Sequence, residues 1–362
     1  MIIVDSHQDL AWNMLTFGRD YTRSVVETRQ LEAGGQTPLC NGDTLLGWPE
    51  YQRGGVAIIF ATLFAAPVRH KLGEWDKLTY ANTNQANRSY SSQLDAYQML
   101  VDENPEKFQL VKNLQDLDSI LAGWEHGVES KTPIGLVILM EGAEGVREPA
   151  ELEDWWQRGV RLIGPAWAGT RYCGGTREPG PLTADGFALL ESMSEFGMIL
   201  DLSHMDEQAV LQSLDVYPGA LVATHSNPQE LLKDAATNRF LSDRVLLGLI
   251  ERDGMVGIPP YNRFLRWGWE PKDGREVITL ELVVDHIDYI CQLAGDAKHV
   301  GIGTDFDGGF GLQSVPREID TIADLQKLIP LLKKRGYTDS DTSAIMGDNW
   351  LSCLKESLPE ST

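Results

Sequence analysis

The chain predicts an α/β fold, a (β/α)8 TIM barrel with C-terminal helices covering the barrel, and three observations predict it. Apolar runs recur along the 362 residues at Ile2–Val4, Val56–Thr62, Ile134–Met140, Val160–Ile163, Met198–Asp201, Leu221–Thr224, Met255–Ile258 and Val300–Thr304. They are close to continuous in apolar residues, as strands buried on both faces are. Stretches with helical marks separate them, and strands alternating with helices make a parallel, closed sheet. Several runs also finish in His, Asp or Glu, which points to one site at the C-terminal rim of a barrel.

The elements follow in order. Ile2–Val4 leads directly into Asp5-Ser6-His7-Gln8-Asp9. Val56 to Val68 is the longest nearly apolar run; it is too short to span a bilayer and reads as a strand entering a loop. Pro67 to Phe108 is the largest insertion before the third strand, and its polar segment Asn82 to Met99 reads as a surface helix. Ile134–Met140 closes on Glu141-Gly142. After the fourth run, Gly174 to Pro181 is rich in Gly and Pro and reads as a loop on the active-site side. Helical marks begin at Thr183 and lead past Gly197 into the fifth strand. Pro228, after Ser226-Asn227, reads as a capped helix start. Ile278 to Leu293 has helical spacing before the eighth strand, and residues 310–362 supply a loop and the covering helices. With no repeat, low-complexity segment or linker, residues 1–362 are expected to form a single domain.

Composition narrows the function. At 42% apolar and 23% charged residues the chain is an ordinary globular protein. A formal net charge of −22 argues against nucleic acid and anionic membrane surfaces as partners, since both reward excess Lys and Arg. The start carries no basic segment followed by an apolar stretch and cleavage site. Cys40, Cys173, Cys291 and Cys353 are widely spaced and contain no CxxC pair, which suits reduced thiols in a cytoplasm. A soluble cytoplasmic protein is expected, with a homodimer left open.

The strand ends carry the chemistry. His7 and Asp9 are two positions apart, so an extended strand points them the same way and they can bind one ion. His204 and His225 end successive strands 21 positions apart, about one βα unit, and can share a second ion. Glu141 ends the third strand and can offer one carboxylate oxygen to each ion. Imidazole and carboxylate donors suit zinc, with cobalt or manganese as alternatives. Asp305 is the acid left over, placed to take a proton from a metal-activated water and return it to a leaving amine. Asp307, two residues on, serves either a ligand or its own loop. His70, His126, His286 and His299 lack a strand-end setting and are expected on the surface or in helix packing. His299 precedes the eighth strand, at the opposite face of the barrel.

These motifs together resemble the membrane (renal) dipeptidase family of the amidohydrolase superfamily. The resemblance runs through Asp5-Ser6-His7-Gln8-Asp9, Glu141-Gly142, Asp201-Leu202-Ser203-His204, Thr224-His225-Ser226 and Gly301 to Gly308. It implies a (β/α)8 barrel with two zinc ions and hydrolysis of a dipeptide by a metal-bridging hydroxide. It assigns His7 and Asp9 to one ion, His204 and His225 to the other, Glu141 as the bridge and Asp305 as the proton shuttle. The family's carboxylate-binding Arg falls on Arg239, in Asn238-Arg239-Phe240-Leu241-Ser242-Asp243, and Tyr261 is a weaker candidate for the same pocket.

One departure from the resemblance matters. Where the family often has a His three residues after the bridging Glu, this chain has Glu144, which cannot steady an oxyanion when ionised. Either another group steadies the oxyanion, a zinc ion or Arg171 or Tyr172 from the fourth-strand loop, or Glu144 faces the substrate's amino end and meets its ammonium, which is the role expected here. Competing readings are an amidohydrolase acting on another amide or N-acylated amino acid, a metal-free barrel glycosidase using Glu141 and Asp305, and a non-catalytic binding protein. The glycosidase leaves the three strand-end histidines unexplained.

Overall fold

The computed structural model describes residues 1–124 and 132–361; His126 lies outside the described residues. Eight parallel strands close on one another: β1 (Ile3–Gln8), β2 (Val56–Phe64), β3 (Ile134–Glu141), β4 (Val160–Gly164), β5 (Ile199–Asp201), β6 (Leu221–Ala223), β7 (Met255–Ile258) and β8 (Val300–Ile302). Neighbours in sequence pair in space, and β1 pairs with β8 through Asp5 and Ile302 to complete the barrel. A short strand, Phe108–Leu110, adds to the edge of β3. This is the architecture expected of apolar runs separated by helices, since a strand covered by helices and filled from within has no wet face.

Close packing shows in the glycines. A Cβ on Gly135 of β3 would meet Ile58 Cδ1 at 2.5 Å, so the strand reaches its register with β2 only because that side chain is missing. The register then runs in step to Phe64 opposite Glu141, which brings the end of β3 to the rim. The C-terminal helices pack beside β1 and β8; Trp350, fully buried, donates from Nε1 to Ile302 O at 3.1 Å.

Two local expectations change. The helix predicted as a surface element is Thr83–Glu103, capped by Asn82, whose side chain accepts from Gln85 N. Its composition is polar, yet Ala86, Tyr90, Gln93, Leu94, Tyr97 and Leu100 recur at helical spacing and are buried. Tyr97 donates to Thr62 O at 2.9 Å, so this helix grips the end of β2 rather than floating on the surface. At Pro228 the expected helix is a single 3-10 turn, Gln229–Leu232; the crossing helix is Asp243–Glu251, capped by Ser242. The chain between them returns to pair Pro228 with Leu241, and this return delivers Arg239 to the rim. Among the described residues no helix is long and apolar enough to cross a membrane.

Candidate metal centre

Each strand-end acid or imidazole arrives where its strand stops: His7 late in β1, Asp9 just beyond it, Glu141 closing β3, His204 after β5, His225 after β6 and Asp305 after β8. Their donor atoms fall into three overlapping groups: His7 with Asp9 and Glu141, Glu141 with His204 and His225, and His7 with His225 and Asp305, each within 4.8 Å. Glu141 divides its carboxylate between them. Oε2 lies 3.7 Å from His7 Nε2, while Oε1 lies 3.2 Å from His204 Nε2 and 3.4 Å from His225 Nε2. Asp9 and Asp305 approach His7 Nε2 at 3.9 and 4.0 Å.

The donor set fits divalent cations. His7 Nε2 and Asp9 Oδ1 are buried without a hydrogen-bond partner, and the Nε2 atoms of His204 and His225 are 2.9 Å apart. Buried polar atoms are almost always satisfied, so orphans converging on one point call for a ligand of the opposite character. The protonation equilibria agree. Burial pushes His7 down to about 3, and Arg239 adds to the effect. Burial, then Asp307, pushes Asp9 up to about 7; Glu141 and Asp305 are held well above the carboxylate range by burial and by Asp9. A dication between them would reverse the carboxylate shifts and take the neutral imidazoles as they are.

A second set of side chains aims the imidazoles. Asp201 Oδ1 accepts from Thr224 N at 2.9 Å and its Oδ2 from Thr224 Oγ1 at 2.7 Å. With its own proton given to Asp201, the Thr224 oxygen accepts from Nδ1 of His225 at 3.1 Å and of His7 at 3.3 Å. Both rings are thereby held with a bare Nε2 toward the cluster. His204 Nδ1 has Thr176 Oγ1 at 3.0 Å. Asp5 repeats the device on β8, accepting from Thr304 N at 2.7 Å and Thr304 Oγ1 at 2.5 Å, and so fixes the residue before Asp305. Asp307 turns away from the cluster into a buried network with Arg19 Nη1 at 2.9 Å, Tyr21 and Thr44. It braces the loop that carries Asp305. His204, Asp305 and Asp307 all take positive φ (66°, 56° and 63°), a left-handed conformation that non-glycine residues adopt at a cost and that clusters at functional sites.

A cavity of about 500 Å³ opens over the cluster, with Asp9, Glu141, His204, His225 and Asp305 at its floor. Arg239 and Tyr261 are on its wall. Arg239 is 4% exposed; Nη1 donates to Ser226 Oγ at 2.8 Å, Nη2 to His225 O at 2.6 Å, and Nε has no partner. Burial lowers it to about 10, which still leaves it charged at neutral pH. Tyr261 stacks on Phe310 at 4.2 Å.

Glu144, Arg171 and Tyr172 are corrections: none of them lines the cavity. Gly142 has φ 78°, and the 3-10 turn Ala143–Gly145 that follows swings Glu144 away from the strand end. Its Oε2 accepts the Arg171 backbone N–H at 3.0 Å. Tyr172 is fully buried and donates to Val146 O, with the Arg171 guanidinium over its ring at 4.7 Å. His70 is also misplaced by the sequence reading. It lines the cavity, bonded to Glu178 at 2.9 Å and 5.9 Å from the Trp167 ring. The Asp–Thr clamps had a readable signal, because Asp5 and Asp201 each precede a Ser-His and each hold a Thr followed by a site residue. The wall from Phe64 to Asp76 had none.

The sequence matches the membrane dipeptidase family, peptidase family M19, over residues 1–360. An uncharacterized protein from the pqqA 5' region of Klebsiella pneumoniae is 34% identical over 61% of this chain and 82% of its own length. Dipeptidase tcpJ of Claviceps purpurea is 26% identical over 74% of the chain, which spans 60% of that relative. Among solved structures, the metallopeptidase dipeptidase AC of family M19 superposes with a TM-score of 0.78 at 24% identity, covering 100% of this chain and 99% of its own. A Rhodobacter sphaeroides metallopeptidase liganded with a phosphinate mimic of L-Ala-D-Ala gives 0.77 at 23% identity, with 99% of each chain covered. Both likenesses are of fold. The chain belongs to the membrane dipeptidase family, peptidase family M19.

Proposed function

Proceeding from that membership, we propose that residues 1–362 form a single-domain cytoplasmic enzyme that holds two zinc ions and hydrolyses the peptide bond of a dipeptide. The observation that carries the reading is Glu141, whose two carboxylate oxygens face different donor sets. His7 and Asp9 would hold one ion, His204 and His225 the other, with Glu141 between them. When bound, such a pair lowers the pKa of a water to about 7 and polarises the scissile carbonyl.

The remaining work falls to the chain. Asp305, 4.0 Å from His7 Nε2 at the floor of the cavity, takes the proton of the attacking water and delivers it to the departing nitrogen. Arg239 receives the dipeptide's C-terminal carboxylate with the N–H groups left free by Ser226 and the His225 carbonyl. Its charge is desolvated in advance, and Phe264 lies 5.2 Å from the guanidinium. Tyr261 and Phe310 close that end against water. Thr224 and Asp201 keep the imidazoles in one tautomer.

Metal analysis of the purified protein alongside hydrolysis of L,L-, L,D- and N-acylated dipeptides tests the proposal. Two equivalents of metal, with turnover lost on chelation and restored by zinc, are expected. Glu141→Ala should disturb both equivalents, and His204→Ala mainly one. Protein that takes up no metal on reconstitution, or that cleaves no dipeptide once loaded, overturns it.

A further inference from the structure

Resting on the dipeptidase reading, we infer that the cavity selects dipeptides whose N-terminal residue carries a cationic side chain, and that Asp76 is the residue that recognises it. Asp76 lies in the loop between the paired short strands Ala66–Pro67 and Thr79–Tyr80, and it lines the same cavity as the strand-end cluster. It is only 3% exposed. One oxygen, Oδ2, accepts from Leu72 N at 3.2 Å. Among the described residues Asp76 has no ion pair. Lys77, the next residue, is exposed and makes no ion pair with Asp76; of the cations before it, Lys71 pairs with Glu74 at 3.3 Å, while Arg69 and His70 both bind Glu178, at 2.6 and 2.9 Å.

A carboxylate taken out of water without a counter-ion is costly, and native proteins pair such groups. Burial is the largest influence on the Asp76 carboxyl and raises it, Lys71 opposing from a distance. Because the group faces the cavity, the missing cation can arrive with a ligand. The surroundings favour one: Trp12 and Phe64 share this part of the wall, and aromatic faces attract ammonium and guanidinium groups.

The position selects which cation. A row of rings leads away from the cluster, His204 to Trp167 to Phe64 to Trp12 to Trp75, with centroid separations of 6.0, 5.2, 6.3 and 6.1 Å. Asp76 follows Trp75, at the end of the row far from His204. An α-ammonium is one carbon from the scissile carbonyl and so stays among Asp9, Glu141 and Asp305. Arg239 occupies the C-terminal end of the substrate, which leaves the Asp76 end to the side chain of the N-terminal residue. A long side chain ending in an ammonium or guanidinium fits it.

The experiment compares kcat/KM for Lys-Ala, Arg-Ala and norleucine-Ala, the last matching lysine in length without its charge. The zinc-loaded wild type is expected to favour Lys-Ala and Arg-Ala by about 10-fold or more, the size of a charge-assisted hydrogen bond. Asp76→Asn should erase that preference and leave norleucine-Ala unchanged; Asp76→Lys should turn it toward Glu-Ala. Equal rates on Lys-Ala and norleucine-Ala in the wild type overturn the inference without any variant, and so does an equal loss on both in Asp76→Asn. If no dipeptide is cleaved, the dipeptidase reading fails separately. Calorimetric binding of Lys-Ala against norleucine-Ala then still decides for or against the Asp76 site.

Discussion

The floor and the wall of the cavity are built by different rules. Every acid and imidazole on the floor stands at or just past the end of a barrel strand, and backbone ladders on both sides fix where that strand stops. The wall is made mostly of side chains beyond the strand ends, among them His70, Leu72 and Asp76, then Trp167, Thr176 and Arg177, then Arg239, Tyr261 and Trp267. A change on the floor should therefore alter chemistry or metal binding, whereas a change on the wall should alter which substrate is taken. The difference teaches that one site can hold its reaction constant while its specificity is rebuilt in loops.

The sharpest way to break this division is Asp305→Asn. The substitution keeps shape and removes only the proton-carrying function, so both metals should remain while kcat falls by about 10²–10⁴-fold. Metal content by elemental analysis beside steady-state kinetics checks it. A fall below about tenfold would place the base elsewhere and weaken the claim that the floor fixes the reaction.

Arg239 lies on the border, a wall residue held by the floor through the His225 carbonyl. Arg239→Ala should raise KM roughly 10- to 100-fold for dipeptides with a free carboxylate, the range of a charged hydrogen bond, with a smaller change in kcat. C-terminally amidated dipeptides provide the control. If they suffer equally, Arg239 supports the floor and does not read the substrate.

How much of this was legible follows the same line. The eight strands, the five floor residues and His7 beneath them could be read because a doubly buried strand is almost wholly apolar, and because Glu141 or His225 at its end breaks that run visibly. The helix Thr83–Glu103 was seen but put on the surface, since its buried stripe includes Tyr90, Gln93 and Tyr97, whose hydroxyl and amide groups bind barrel carbonyls. Glu144 was misread for a local reason: one glycine at φ 78° and a 3-10 turn aim it at a backbone N–H. Nothing in the order of residues announces that turn. His70 was missed because its partner, Glu178, is 108 positions away.

The clamp below the floor offers a middle case. Asp201→Asn keeps a side chain of the same size but makes its contact with the Thr224 hydroxyl and N–H neutral at best. Thr224 would then hold the Nδ1 protons of His7 and His225 less firmly. Loss of such outer support commonly costs about 10–100-fold in metal affinity or activity. Competition with a chelator should reveal weaker binding of at least one equivalent, with kcat recovering at saturating zinc. Unchanged metal affinity would mean that the strand ends alone orient the rings.

Glu178 gives the smallest effect and the cleanest view of the wall. It joins the loop carrying Arg69 and His70 to the hairpin turn of Thr176 and Arg177. The hydrogen bond from Arg69, then that from His70, holds its carboxyl down at about 2, well below its ordinary 4.5. A group with a depressed folded pKa stabilises the folded state above its unfolded value, and that stability is lost as pH falls from about 4.5 toward about 2. Arg69 is half exposed and Glu178 about a third exposed, so solvent screens the pair and the contribution is about 1 kcal/mol or less. Glu178→Gln should lower Tm by about 2 °C or less at neutral pH, with the gap to the wild type closing in acid. The same variant should leave metal content and kcat on a small dipeptide untouched, and raise KM modestly for dipeptides with a bulky N-terminal residue. A fall in kcat with KM unchanged would join this part of the wall to the floor, and the division between them would not hold at Glu178.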